Sequence, residues 1–262
     1  MDINAPVLTD DEIEHAEVLS PSTSSRKVIR VGSIVAKLDR NLDLTEAENM
    51  KFIREHTDIP VPKVLNYYEK DGMGYILMDF IEGEMLNNAW PKLTLEAKNT
   101  ILSELSDYIR QMRQIPARLD SMIESVTGGP VVDQRSMGPI KGGPFRSEED
   151  FNAWQLDQLL PGIPLSNRDM YHTMHKADHA IVFSHGDLGF HNVLVKNGHV
   201  AAIIDWESAG WMPEHWDYCK SARHISGSDD LYLALKRLYE TQYFAETLLD
   251  FWFTREVRHG GW

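Results

Sequence analysis

The stretch SHGDLGFHNVLV, residues 184–195, sets Asp187 and Asn192 five positions apart on a polar turn. A short apolar run, a turn at Lys196-Asn197-Gly198 and the run VAAIID then lead to Asp205. The pattern predicts a hairpin whose second strand carries Asp205 back beside the first. Three oxygen-bearing side chains would converge there, an arrangement that serves no purpose in a packed core. Transfer of a metal-bound phosphate needs such a set. A carboxylate accepts the proton of an attacking hydroxyl. Hard oxygen ligands hold Mg²⁺ against the phosphates, and a cation grips them from the other side. Asp and Asn are also ordinary turn formers, so the motif needs partners elsewhere in the chain.

Those partners must be held by the flanking elements. KVIRVG and SIVAKLD read as two strands meeting at Gly32-Ser33. LTEAENMKFIREHT reads as a helix with Thr45 as N-cap, ended by Pro60 and Pro62. KVLNYYEKDGMGYILMDF gives two more strands about Asp71-Gly72. Beyond Gly83 the texture turns helical. A long amphipathic helix carries Leu95, Ile101, Leu102, Leu105, Tyr108, Ile109 and Met112 on one side. Residues 116–147 read as an ordered surface loop rich in Gly and Pro, SEEDFNAWQLDQLL as a helix capped by Ser147, and NRDMYHTMHKADHAI as a further helix. Short strands and turns fill 181–205, and helices resume near Trp216. The expected fold class is α+β in two lobes: residues 1–82, strand-rich with one helix, and 83–262, mainly helical.

The segment HGDLGFHN, with the hairpin and IID behind it, resembles the catalytic loop and metal-binding segment of the aminoglycoside phosphotransferase and choline kinase-like family, relatives of the protein kinases. The resemblance runs over most of the chain, and AENMKFIREHTDIPVPKV and WESAGWMPEHWDY look most like fungal members. It implies a two-lobed, protein kinase-like fold with the nucleotide in the 1–82 lobe and the acceptor site in the 83–262 lobe. Asp187 then matches the catalytic base, Asn192 and Asp205 the Mg²⁺ ligands, and His185 the residue that buttresses the loop. Lys37 matches the strand lysine that grips the phosphates, and Glu48 the helix glutamate that pairs with it. Met78, Asp79, Phe80 and Ile81 match the segment whose backbone holds adenine, and Asp217 an acid that bonds back to the loop. One departure stands out. LSPSTSSR has no glycine where protein kinases cover the phosphates with a Gly-rich loop, so its hydroxyls and N–H groups would serve instead.

The implied activity is transfer of the γ-phosphate of ATP, or GTP, to a hydroxyl of a small molecule. A non-catalytic nucleotide-binding module is the alternative. A metal-dependent hydrolase using His185, Asp187 and Asp205 would leave Lys37 and Glu48 without a role. His172, His175 and His179 have helical i, i+3, i+7 spacing but no acid-rich partner nearby in sequence, and are expected to form a solvated helix face. Trp206, Trp211 and Trp216 are expected in the core or a pocket wall, and Glu207 and Glu214 are candidates to hold a cationic acceptor.

Bulk properties bound the rest. With 262 residues, 42% hydrophobic and 25% charged, the chain has the composition of a soluble globular protein that can bury a real core. The formal net charge of −14 disfavours nucleic acid and anionic membranes and is compatible with a cationic substrate. Cys219 is the sole cysteine, which excludes an intrachain disulfide and suits a cytoplasmic home. No apolar run is long enough to span a bilayer, and the acidic N-terminal stretch does not read as a signal peptide.

Overall fold

The computed structural model describes residues 5–20, 26–117, 122–135, 139–159, 162–225 and 228–259. The central phosphate-loop expectation, on residues 21–25, lies outside them. After a short helix α1 (Asp10–Glu14), capped by Thr9, the first five strands build one antiparallel sheet. They are β1 (Glu17–Val18), β2 (Lys27–Val31), β3 (Ile34–Asp39), β4 (Val64–Lys70) and β5 (Met73–Asp79), in the order β1-β2-β3-β5-β4. Asp71 and Gly72 both adopt positive φ, the backbone a tight β4–β5 hairpin demands. Side chains alternate across the sheet. Ala36, Leu38, Tyr75 and Leu77 pack with Leu8 and Ile29 on one face, while Val35, Ile76 and Met78 join the main core on the other. Lys37 shares that second face, opposite Ile76 in the β3–β5 register.

Helix α2 (Thr45–His56) lies between β3 and β4. Thr45 is its first helical residue rather than its cap, because the Asp43 carboxylate accepts the Thr45 N–H at 3.1 Å. Met50 and Ile53 press into the main core, and the helix stops before Ile59-Pro60 as the prolines require.

β6 (Glu84–Met85) and α3 (Leu86–Ala89) lead into α4 (Leu95–Arg113), which Thr94 caps. Ile101, Leu102, Leu105, Ile109 and Met112 are buried on α4, whereas Leu95 is exposed in the first turn and off that face. Residues 116–147 are more than a surface loop. They contain a hairpin, β7 (Val131–Asp133) with β8 (Ile140–Gly142), whose Val131, Val132 and Asp133 are buried. A backbone bridge Ile123–Phe145 closes this region on itself, and a bridge Glu124–Trp211 fastens it to the buried Trp211. The many glycines and prolines mask such short strands in the sequence.

α5 (Glu148–Asp157) begins at the Ser147 cap, which accepts the Asp150 N–H at 3.1 Å. α6 (Leu165–Met174) starts after Pro164 and ends before His175, so the helix expected to run on to Ile181 is shorter. β9 (Ile181–Ser184), β10 (Val193–Lys196), β11 (His199–Ile203) and β12 (Gly210–Pro213) follow, then α7 (Trp216–Arg223), α8 (Asp229–Leu238) and α9 (Phe244–His259). β10 and β11 form the expected hairpin, with Asn197 and Gly198 at positive φ in its turn and β6 on the far edge of β10. β9 pairs with β12. Trp206, Trp211 and Trp216 are all buried. No helix among the described residues is long and apolar enough to cross a membrane.

Candidate active site

The loop from Ser184 to Asn192 is held from behind by one buried acid. Both oxygens of Asp217, in the first turn of α7, accept backbone N–H groups, from His185 at 3.0 Å and Gly186 at 2.8 Å. Gly186 sits at φ +85°, and a Cβ there would come within 2.2 Å of the Ser208 carbonyl oxygen, so the chain passes where only glycine fits. Buried His185 ties the loop to the hairpin. Its Nε2 donates to the Ile204 carbonyl at 3.0 Å and its Nδ1 accepts the Asp187 N–H at 3.3 Å, which fixes one neutral tautomer.

The same frame sets Asp187, Asn192 and Asp205 around one another. Asn192 Nδ2 donates to the Asp187 carbonyl at 2.9 Å and reaches its Oδ2 at 3.3 Å. The Ile204 N–H donates to the Asn192 carbonyl at 2.9 Å, so the residue before Asp205 is stitched to Asn192. Asp205 itself takes the left-handed conformation, φ 69°, which turns its carboxylate out of the strand line. A non-glycine residue at positive φ is uncommon and marks a backbone held for a purpose.

Lys37 meets this arrangement from the sheet. Its Nζ lies 2.7 Å from Asp205 Oδ1 and 2.5 Å from Glu46 Oε1. Burial pulls the lysine pKa down, but the two carboxylates outweigh it and hold the ammonium charged beyond its ordinary range. Burial raises Asp205 too, and Lys37 overrides it, so Asp205 stays ionised below the usual carboxylate range. The partner of Lys37 is therefore Glu46, not Glu48. Glu48 is partly exposed, accepts the Tyr67 hydroxyl and stands 3.7 Å from Lys51. Two residues apart on a helix point to nearly opposite sides, so only one can face the strand. Glu46 lies in line with Met50 and Ile53 on the buried stripe.

Two histidines flank Asp187. His191 Nε2 is 3.3 Å from Oδ2, His224 Nε2 is 3.8 Å from Oδ1, and the two rings meet at a tilt of 54° with centroids 4.2 Å apart. Burial raises the Asp187 pKa, but hydrogen bonding to His191 and His224 outweighs it and lowers it well below the ordinary range. The carboxylate is held as an anion, oriented by the two imidazoles.

A buried ammonium lies between two carboxylates, with a third carboxylate, Asp187, and the Asn192 amide on the adjoining loop, an arrangement chemically suited to handling phosphate. The family model described as "Phosphotransferase enzyme family", APH, matches residues 22–252. The chain belongs to this family. Among its relatives, an aminoglycoside 3'-phosphotransferase of Enterococcus faecalis is 25% identical over 64% of this chain and 60% of its own length. The chain thus spans less than two thirds of that relative. A fungal relative, a subtelomeric hrmA-associated cluster protein of Aspergillus fumigatus, is 26% identical over 36% of this chain and 19% of its own. Among solved structures, a putative fructosamine-3-kinase from Haemophilus somnus superposes with TM-score 0.66 at 15% identity, covering 92% of this chain and 81% of that one. Aminoglycoside phosphotransferase APH(4)-Ia, in a ternary complex with ADP and hygromycin B, superposes with TM-score 0.57 at 15% identity, covering 92% and 91%. These superpositions show a shared kinase-like fold.

Other residues of this family member stand where sequence reasoning did not look. Arg26, just ahead of β2, places Nη2 2.6 Å from Glu207 Oε2 and Nη1 3.8 Å from Asp205 Oδ1. Gln134 Nε2 donates to the other Glu207 oxygen at 2.8 Å. Glu207 is thus engaged by the protein's own groups, which weakens its candidacy for a cationic acceptor. Glu214 accepts the Ala180 N–H at 3.4 Å and lies away from the loop, at the end of β12. Arg26, Gln134 and His224 act through long-range placement, whereas His191 lies four residues from Asp187 within the same loop motif.

The segment expected to hold adenine, Met78–Ile81, is partly committed to contacts of its own. The Asp79 N–H donates to the Lys63 carbonyl at 3.1 Å and the Phe80 N–H to the Ser33 carbonyl at 2.8 Å, while Arg30 covers the Phe80 ring at 3.7 Å. The three histidines of 172–179 share no helical face, because α6 ends at Met174. His175 lies tilted against the Tyr171 ring, and burial pushes its pKa down to about 4. His179 is clasped by Glu148, ring to carboxylate at 2.7 Å and backbone N–H to carboxylate at 2.9 Å.

Proposed function

We propose that this protein transfers the γ-phosphate of ATP to a hydroxyl of a small molecule, with Asp187 as the base. One observation carries the reading: Lys37 on the sheet and Asp205 after the hairpin meet at 2.7 Å, across 168 positions of chain, beside the Asp187–Asn192 loop. Family membership and the ATP-derived ligand in the APH(4)-Ia complex support the choice of reaction and donor.

The donor set fits a magnesium ion. Asn192 and Asp205 offer hard oxygens from backbone-linked positions, and Lys37 and Arg26 face three carboxylates, Glu46, Asp205 and Glu207. A polyphosphate entering a site with that balance needs a further cation. Glu46 Oε2 is also buried with no hydrogen-bond partner among the described residues. When bound, Mg²⁺ would neutralise charge on the phosphate oxygens.

The chain's own groups do the rest. Lys37, held by Glu46, contacts the phosphates, and Arg26 sits beside it as a second cation. Backbone groups of Met78–Ile81 left free by the Lys63 and Ser33 contacts hold the adenine. Asp187 aligns the acceptor hydroxyl and takes its proton as the oxygen bonds to the γ-phosphorus and the bond to the ADP oxygen breaks. His185 and Asp217 keep that carboxylate in place. Positioning and fixed charge supply most of the rate.

The test is phosphorus NMR of the protein with ATP, Mg²⁺ and a broad panel of alcohols. The reading expects ADP and a new phosphomonoester, both dependent on the metal. Nucleotide-dependent thermal stabilisation without transfer to any alcohol would favour a binding module instead.

A further inference from the structure

The acceptor need not resemble the polycationic sugars that some relatives act on. A cavity of about 410 Å³ opens behind the catalytic loop, between that loop, α3, α4 and α8. Its walls are mainly apolar: Trp90, Leu105, Phe190, Leu231 and Leu235. Leu188, Gly189, Phe190 and His191 belong both to this wall and to the loop that begins at Asp187. The adjoining pair His191 and His224 lines the cavity while each Nε2 is turned toward the Asp187 carboxylate. The chamber and the base therefore share a wall.

Asn87 lines the chamber as an exposed residue, and the chamber's acid and hydroxyls are engaged inside the protein. Asp230, the only carboxylate among the described residues of its lining, accepts the Trp90 indole N–H at 2.7 Å and the Lys98 ammonium at 2.7 Å. Ser221 donates to the Leu188 carbonyl, and Ser228 accepts the Leu231 N–H at 3.3 Å as the cap of α8. No carboxylate in the wall stands ready for an ammonium. A space of this size with such walls holds water poorly and gains free energy by taking in apolar surface. Its volume falls in the range of small-molecule pockets.

We infer that the acceptor is an alcohol with a predominantly apolar body, aliphatic or aromatic, which sits in this chamber and presents its hydroxyl past the His191–His224 pair to Asp187. The inference rests on the reading of Asp187 as the base of a phosphotransferase. It assigns Trp90 and Leu231 to acceptor specificity, through contact with that body.

The experiment compares octanol, phenylethanol and hygromycin B as acceptors for wild-type protein, Leu231→Trp, which fills the chamber, and Leu231→Ala, which enlarges it. Acceptor-independent ATP hydrolysis and the thermal stabilisation given by the alcohols and by ATP are followed in parallel. The expected result is phosphorylation of the alcohols, with KM raised about tenfold or more in Leu231→Trp. In that variant the thermal stabilisation by the alcohols should be lost and that by ATP kept. Leu231→Ala should keep turnover and shift preference toward bulkier alcohols, which separates filling of the chamber from misfolding. Equal KM values in wild type and Leu231→Trp, or transfer to hygromycin B in preference to both alcohols, would overturn the inference while leaving the kinase reading intact. ATP left unconsumed with every acceptor would instead defeat the kinase reading, and this one with it.

Discussion

Glu46 and Glu48 stand two positions apart on α2, roughly 200° around the helix, and only Glu46 reaches the Lys37 ammonium. Glu46→Gln is expected to lower kcat/KM by about 10- to 100-fold, the worth of one charge-assisted hydrogen bond at the phosphate site. Glu48→Gln should stay within about twofold, since its contacts are partly exposed. Steady-state kinetics of the two variants decide the point, and a larger loss in Glu48→Gln would reverse the assignment. The sequence contained the signal: Glu46, Met50 and Ile53 follow i, i+4, i+7, which sets an acid on the buried stripe. Asp187, Asn192 and Asp205 were legible because a short hairpin joins them, so local geometry alone brings them near. Arg26 and His224 were not, because their roles depend on which distant surfaces fold together, whereas His191 stands only four residues from Asp187 and was within reach of local reasoning.

Among the elements, the loop between β9 and β10 has the least freedom. Gly186 needs φ +85° and has the Ser208 carbonyl oxygen where its Cβ would be. Gly186→Ala should therefore destabilise the protein by more than about 1 kcal/mol and shift the Asp187 loop, with loss of turnover beyond the stability effect. Thermal unfolding and residual activity measured well below Tm separate the two, and an active variant of unchanged Tm would contradict this account of the loop. Turn chemistry made the hairpins at Asp71-Gly72 and Asn197-Gly198 readable, since both demand positive φ. The end of α6 was not readable, because nothing between Met174 and Ala180 breaks a helix. There His179 leaves the helix to be clasped by Glu148, 31 positions away. The β7–β8 hairpin escaped notice for the opposite reason: strands of three residues vanish among glycines and prolines.

At the scale of the whole molecule, one buried charge network ties the β7–β8 region to α5, α7 and α9. Arg135, 2% exposed, binds Asp133, Gln155 and Asp250, and Asp250 also holds Lys220 at 3.1 Å and Arg223 at 2.7 Å. Burial raises the Asp250 pKa, but Lys220, Arg135 and Arg223 outweigh it and depress it well below the usual range. Asp250→Asn leaves these cations without their shared anion and is expected to cost about 3–5 kcal/mol at neutral pH. A carboxyl whose folded pKa is depressed stabilises the fold above its unfolded pKa, about 3.9, and that contribution disappears as pH falls through the folded value. Denaturant unfolding should therefore show the gap between wild type and Asp250→Asn closing below about pH 4; a gap independent of pH would show that the charge of Asp250 does not carry the effect. The central claim, a kinase cleft with Asp187 as its base, is tested most directly by Asp187→Asn. Nucleotide affinity and phosphate transfer to a responsive acceptor should be measured on the same preparation. The account predicts nucleotide binding within a few-fold of wild type and transfer reduced by about 10²- to 10⁴-fold. Full transfer by Asp187→Asn would contradict it.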